Sequence, residues 1–302
     1  MSRPFDISAP VLVTGATGNV GRGVVERLLA AGVRVRATVT PGSAGEVSPP
    51  VGSSPELVVF DFTDASTWRT AFEGVEQVFL MRPPHLGRPR RQMLPALEAA
   101  REAGVRHVVL LSLQGAEHNR LVPHAVLEKW LRESGLAWTF VRPSFFMQNL
   151  TTTHLTDIRD RDEVVVPAGA GATAFVDADD VAAVAAEALL DPGRHRNRAW
   201  TATGPRSLTY AQVAEILTDV LGRPITYARP GLVQYARHAR STLAMPWAMV
   251  AVTSAIYTVA RLGRADALSD DVRAVTGRSA TSFEEFARLH AALWSSEDTA
   301  RQ

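Results

Sequence analysis

The chain has 302 residues, 46% of them hydrophobic and 21% charged, with 32 basic against 31 acidic side chains. That length buries one large core, or one α/β domain with a smaller appendage, and a net charge of +1 argues against a nucleic-acid partner. The absence of cysteine excludes disulfides, cysteine-based metal sites and a thiol nucleophile, and it suits a reducing cytoplasm.

The first residues, Met-Ser-Arg-Pro-Phe-Asp, lack the apolar run of a secretory signal. Val11–Val13 then reads as a short buried strand running into Gly15, Gly18 and Gly21, and these lead into a helix through Val24, Val25 and Leu28. This is the pattern of a phosphate cradle. Gly15 permits the tight turn, Gly18 leaves the backbone bare for a pyrophosphate, and Gly21 lets the helix pack closely on the strand. The free N–H groups and the dipole at the helix start both favour an anion there.

Alternation over Val33–Thr40 predicts a second strand, followed by a Pro/Gly/Ser-rich loop over 41–55 and a third strand at Leu57–Phe60 ending in Asp61. Asp64 caps a short helix to Phe72, Val78–Met81 is a fourth strand, and Met93–Ala103 is a helix closed by Gly104. Arg88–Arg91 between them reads as a solvated loop. Val108–Leu111 is a fifth strand ending at Ser112, Leu121–Ser134 a helix, and Trp138–Val141 a sixth strand. Strands alternating with helices imply βαβ units and a doubly wound parallel sheet of the Rossmann type, with ligands at the C-terminal strand ends.

Beyond residue 150 the pattern is mixed. Glu163–Val166 and Ala174–Val176 are strand-like, Asp179–Leu190 and Tyr210–Leu221 helical, and the chain from Gly231 onward is mostly helix. This predicts a nucleotide-binding domain over 1–150 and a smaller, mainly helical substrate region over 151–302, with a return to the sheet around 174–204. The apolar run Met245–Leu262 is interrupted by Pro246, Thr253 and Ser254 and reads as a lid or interface helix rather than a membrane span.

Thr14–Gly21, Asp61, Leu80-Met81-Arg82-Pro83-Pro84, Ser112–Ala116, Arg142-Pro143-Ser144-Phe145-Phe146-Met147-Gln148-Asn149 and Phe175–Ala182 together resemble the NmrA-like branch of the atypical short-chain dehydrogenases/reductases. The likeness runs to about residue 225. It implies a dinucleotide on Gly15, Thr17, Gly18, Asn19, Val20 and Gly21, with Asp61 and Phe62 near the adenine and Met81, Arg82 and Pro83 along the nicotinamide ribose. The branch contains quinone oxidoreductases, isoflavone-type and biosynthetic reductases, and redox-sensing regulators. The resemblance therefore implies an NAD(P)H-dependent reductase of a quinone, enone or imine, with a dinucleotide-sensing regulator as the alternative.

Ordinary short-chain dehydrogenases carry a Tyr-x-x-x-Lys pair after the fifth strand and a serine at its end. Ser112 fits the serine, but all four tyrosines lie at 210 or later, and Ala125 stands four residues before Lys129, the only lysine. Aligned on Glu128, His124 falls where isoflavone-type reductases carry a catalytic lysine. An ordinary imidazole suits proton transfer near neutrality, so His124 and Ser112 are the expected catalytic pair. Asp177, Asp179 and Asp180 read as a helix cap and first-turn charge, and no histidine spacing suggests a metal.

The second strand ends without an acid, which favours NADP(H) over NAD(H), with Arg36, Thr40, Ser43 or Arg22 left to meet the extra phosphate. Phe145, Phe146, Met147 and Trp247 are expected to form an apolar wall for the substrate. The remaining expectations are a small-molecule substrate, a cytoplasmic location, no membrane association, and self-association as a homodimer through the Trp247–Tyr257 helix.

Overall fold

The computed structural model describes Phe5, residues 8–40 and residues 54–295. Ser43 and most of the loop expected over 41–55 lie outside the described residues. The chain divides into two compact units. Unit 1 holds the described residues up to Pro143, then Ala178–Ala202 and Ala274–Gly277; unit 2 holds Ser144–Asp177, Thr203–Arg273 and the described residues from Arg278. The sequence reading drew its division at 150, whereas the units change at Pro143, where the sixth strand ends.

The elements run β1 (Val11–Val13), α1 (Asn19–Ala30), β2 (Val35–Val39), β3 (Glu56–Val59), α2 (Trp68–Phe72), β4 (Gln77–Met81), α3 (Pro89–Gln92), α4 (Leu94–Glu102), β5 (His107–Leu111), α5 (Pro123–Glu133) and β6 (Ala137–Pro143). Next come β7 (Phe145–Phe146), α6 (Leu155–Arg161), β8 (Glu163–Val164), β9 (Ala172–Val176), α7 (Ala178–Leu190), α8 (Pro192–His195) and β10 (Arg198–Ala202). The remainder is β11 (Ser207–Thr209), α9 (Tyr210–Leu221), β12 (Thr226–Tyr227), α10 (Leu232–Ser241), α11 (Trp247–Arg261), α12 (Asp271–Thr276) and α13 (Phe283–Trp294).

In unit 1 the strands form one parallel sheet in the order β10-β6-β5-β4-β1-β2-β3. The order reverses between β1 and β4, and that switch point is where open α/β sheets admit ligands. Full burial of β1 and β5 explains why Val11–Val13 and Val108–Leu111 read as continuous apolar runs, whereas β2 is buried with Arg36 and Thr38 in it. On one face lies a core that includes Leu12, Phe60, Phe72, Leu80, Leu97, Leu110, Leu127 and Phe140. α1 packs on α7, where a Cβ at Gly23 would stand 2.8 Å from that of Ala182, and Arg27 pairs with Asp179 at 2.6 Å.

The helix expected over Met93–Ala103 is α4, and it starts after a break at Met93, because Pro95 in its first turn has no N–H to continue the ladder from α3. The Arg88–Arg91 stretch forms α3 rather than a plain loop. β10, which the sequence pattern suggested only as a return near 174–204, is the edge strand beside β6.

Unit 2 carries a small sheet, β11-β9-β7, antiparallel between β11 and β9 and parallel between β7 and β9, and a short pair of β8 with β12. Its core gathers Phe175, Tyr210, Tyr235, Phe283, Phe286 and Trp294, and the indole N–H of Trp294 donates to the Leu150 carbonyl at 2.9 Å. Both α9 and α13 begin with reciprocal capping boxes, Thr209 with Gln212 and Ser282 with Glu285. Among the described residues no helix is long and apolar enough to cross a membrane.

Candidate functional site

The three glycines after β1 have different physical reasons to be glycine. Gly15 has φ +64°, a left-handed conformation that side chains resist, and the Met81 side chain fills the space a Cβ would take. A Cβ on Gly21 would fall on the Gly15 carbonyl oxygen, so the turn closes only without one. Gly18 is under neither constraint. Its backbone is extended at φ −78° and ψ 165°, and a Cβ there would approach only the Gly15 carbonyl oxygen, at 3.3 Å.

Gly18 is also the N-cap of α1. No side chain caps that helix and no acid occupies its first turn, so its leading N–H groups and the positive end of its dipole are uncovered by the chain's own side chains. The residues present thus fit a pyrophosphate: a bare cap and an open helix start, flanked by exposed Thr17 and Asn19. Thr14 fixes the rim, because its hydroxyl donates to the Phe79 carbonyl at 3.0 Å and accepts from the Met81 N–H at 2.8 Å. That clamp ties the ends of β1 and β4 at the switch point.

Further along the rim, the Asp61 carboxylate accepts from the N–H and hydroxyl of Thr63, each at 2.7 Å, and its carbonyl accepts from the Trp68 indole at 2.8 Å. Phe62 is buried and meets Phe60 edge-on at 4.8 Å, so its ring belongs to the core. The Arg82 guanidinium folds onto its own loop, donating to the carbonyls of Pro83, Pro84 and Leu86. Its contribution to the rim is therefore to shape the 83–86 turn.

Arg36 is engaged elsewhere. It donates to the carbonyls of Thr70, Ala71 and Glu73 at the end of α2 and pairs with Glu56 at 3.0 Å. This corrects the expectation that it meets a ribose phosphate; the α2 carbonyls explain its place in a buried strand. Thr40, just past β2, is exposed at the strand end.

Ser112 and His124 stand around a buried ion pair. Glu128, 1% exposed, takes Arg142 through Nε at 2.9 Å and Nη2 at 2.7 Å, the Ser112 hydroxyl at 2.6 Å, and Arg132 at 2.9 Å. Burial pushes the Glu128 carboxyl up, but the Arg142 and Ser112 hydrogen bonds outweigh it and the group stays ionised, its pKa lowered. Arg142 also reaches Glu117 at 3.2 Å. The Ser112 hydroxyl hydrogen is thus held by the Glu128 carboxylate.

His124 lies in the first turn of α5, one turn before Glu128, and its Nδ1 is buried without a protein partner. Burial, aided by the nearby Arg82 charge and opposed by Glu128, pushes its pKa down to about 4. The ring is therefore neutral at physiological pH, and its chemistry is that of a hydrogen-bond donor or acceptor instead of an imidazolium. Lys129 points away and pairs with Glu133.

Glu128 and Arg142 are the site residues that reading the sequence passed over. A signal existed, because Glu128 sits on the stripe of Leu127 and Leu131 that α5 buries.

In unit 2, Met147 is 1% exposed within the core, which removes it from the expected substrate wall. Phe145 is half-buried and contacts Phe175 and Tyr257 at ring distances of 6.0 and 5.5 Å. Phe146 is half-exposed on β7, and Trp247 is 65% exposed at the start of α11, with the Arg240 guanidinium 5.3 Å over its ring. Asp177 accepts from Gln148 at 2.7 Å.

Comparison with known proteins agrees with this geometry. The profile of the NmrA-like family matches residues 8–283. An NAD(P)H azoreductase of Xenophilus azovorans is 37% identical over 293 residues, covering 94% of this chain and 99% of that protein. The crystal structure of a Citrobacter triphenylmethane reductase complexed with NADP(H) superposes with a TM-score of 0.80 at 25% identity, over 93% of this chain and 99% of the other. An NADPH-dependent quinone oxidoreductase of Escherichia coli, crystallised with NADPH, has a TM-score of 0.82 at 24% identity, over 93% and 99% of the two chains, a likeness of fold alone.

Proposed function

The chain belongs to the NmrA-like family and is an NAD(P)H-dependent reductase with a nicotinamide cofactor, and from that premise we propose that it prefers NADP(H) and reduces quinones or similarly conjugated electrophiles, enones and imines among them. The observation that carries the acceptor class is the lack, among the described residues, of a strong proton donor on the unit 1 rim. Unit 1 has no tyrosine, its one lysine is paired with Glu133, the Ser112 hydrogen is held by Glu128, and His124 is neutral. Such a rim suits an acceptor whose reduced form is a stabilised anion. The cofactor supplies a hydride when bound. Gly18 and the open start of α1 hold its pyrophosphate, and the Thr14 clamp keeps the strand ends in place. His124 donates a ring N–H to the acceptor oxygen or nitrogen and passes on a proton drawn from water, so the net change is one hydride and one proton added to the acceptor.

Phe145, Phe146 and Trp247 remain the acceptor-contact candidates, and replacing Phe146 by serine raises KM for a quinone. The missing acid at the end of β2 supports NADP(H), but with Arg36 engaged by α2 the preference is modest and rests on Thr40, Arg22 and the segment after β2. The same reading puts the enzyme in the cytoplasm, as a homodimer without a nucleic-acid partner, which light scattering and cell fractionation check. The direct test follows loss of nicotinamide absorbance with benzoquinone, menadione and an aromatic azo dye, the last because of the azoreductase relative. Turnover faster with NADPH than with NADH is expected. Tight NADPH binding with no oxidation in any pairing would replace the reductase reading by the dinucleotide-sensing one.

A further inference from the structure

On unit 1 the outer face of α5, the 115–120 segment and α3 enclose a cleft of about 520 Å3 that shares no residue with the glycine loop. Its charges are unbalanced. The carboxylates at its edge are all answered, Glu128 by Arg142 and Arg132, Glu117 by Arg142, and Glu133 by Lys129. Arg90 and Arg120 also line it, both exposed, and neither pairs with a carboxylate among the described residues. Two arginines without a carboxylate partner among the described residues therefore line a concave space together with the apolar Ala116, Ala125 and Val126.

The surroundings are fixed rather than loose. Arg132 is held by Glu128 at 2.9 Å and lies over the rings of Phe140 and Trp138 at 4.8 and 5.4 Å. Two arginines lining one cleft offer forked donors matched to tetrahedral oxyanions, and the volume falls in the range of small-ligand sites. We infer that this cleft binds a dianionic small molecule, a phosphate monoester carried on a small apolar body, at a site separate from the dinucleotide. Glu117, Arg142 and Glu128 form a chain of ion pairs from the cleft to the Ser112 hydroxyl, so an occupant bears on the group that positions the rim.

The test is calorimetry of the full chain, saturated with NADPH, against phenyl phosphate, phenyl sulfate and phenol at pH 8, where the phosphate ester is a dianion. Phenyl phosphate is expected to bind, phenyl sulfate at least tenfold more weakly, and phenol not at all. Arg90→Gln and Arg120→Gln each weaken phenyl phosphate about tenfold while leaving NADPH affinity and the circular dichroism spectrum unchanged. Binding that survives the double variant, or that competes with NADPH, overturns the inference by placing the anion on the glycine loop. No binding to the native protein, or a changed oligomeric state in the arginine variants, also overturns it and assigns the face to a subunit contact. These outcomes are independent of whether quinones are turned over.

Discussion

Helices begin in two different ways in this protein. In unit 2, α9 and α13 are closed at their first turns by capping boxes, so the orphan N–H groups are satisfied by the helix's own side chains. In unit 1, α1 starts at a glycine and α5 at Val122-Pro123, and neither has a side-chain cap or a first-turn acid. A cap contributes about 1 kcal/mol, and a start without one, as at α1, leaves N–H groups for a ligand to meet. In α9 and α13 the start is finished by the chain itself; at α1 we propose that a dinucleotide completes it.

The contrast can be broken most strongly at Gly21. Gly21→Ala puts a methyl group on the Gly15 carbonyl and should lower unfolding free energy by about 3 kcal/mol in urea titration, with cofactor binding lost as a consequence. A variant as stable as the parent would show that the turn is not closed by this contact.

His124, at the open start of α5, sharpens it kinetically. A pKa lowered from 6.5 to about 4 keeps the imidazole neutral above that value, so kcat/KM should show no break from His124 between pH 8 and pH 6. His124→Gln should lower kcat about a hundredfold for acceptors that need a proton, with NADPH affinity kept. A break near pH 6.5 in the native profile would mean that the ring titrates as a free imidazole.

The smallest effect belongs to a closed start. Ser282→Ala removes the α13 cap and should cost about 1 kcal/mol of stability while leaving NADPH affinity unchanged. Any loss of affinity would remove the distinction between the two kinds of helix start.

What the sequence disclosed follows from which signals are local. The β1-glycine-α1 passage and the α9 span from Tyr210 to Leu221 depend on neighbours in the chain, and the structure has both where the pattern put them. Arg36 was opaque because its carbonyl partners lie 34 to 37 residues away, and Glu128, though on the buried stripe of α5, could not be matched to Arg142 14 residues on, since a charged side chain read alone looks like surface. Met147 and Phe145 share a motif, yet one is core and the other half-buried, a difference made by the packing of β9 and α11. The left-handed turn at Gly15 and the close approach at Gly21 concern the chain's own backbone. Gly18 is free of the left-handed turn, a Cβ there would press on the Gly15 carbonyl oxygen at 3.3 Å without overlapping it, and we propose that its glycine serves a ligand.

That last point is tested by Gly18→Asp, with thermal unfolding of the free protein and NADPH calorimetry measured side by side. Aspartate is a good N-cap and suits the extended backbone at this position, so the free protein should keep its stability within about 0.5 kcal/mol. Its carboxylate would occupy the anion's place at the helix start, so NADPH affinity should fall at least about a hundredfold. Unchanged affinity, or collapse of the free protein's fold, would contradict the claim that the open start of α1 is kept for the dinucleotide.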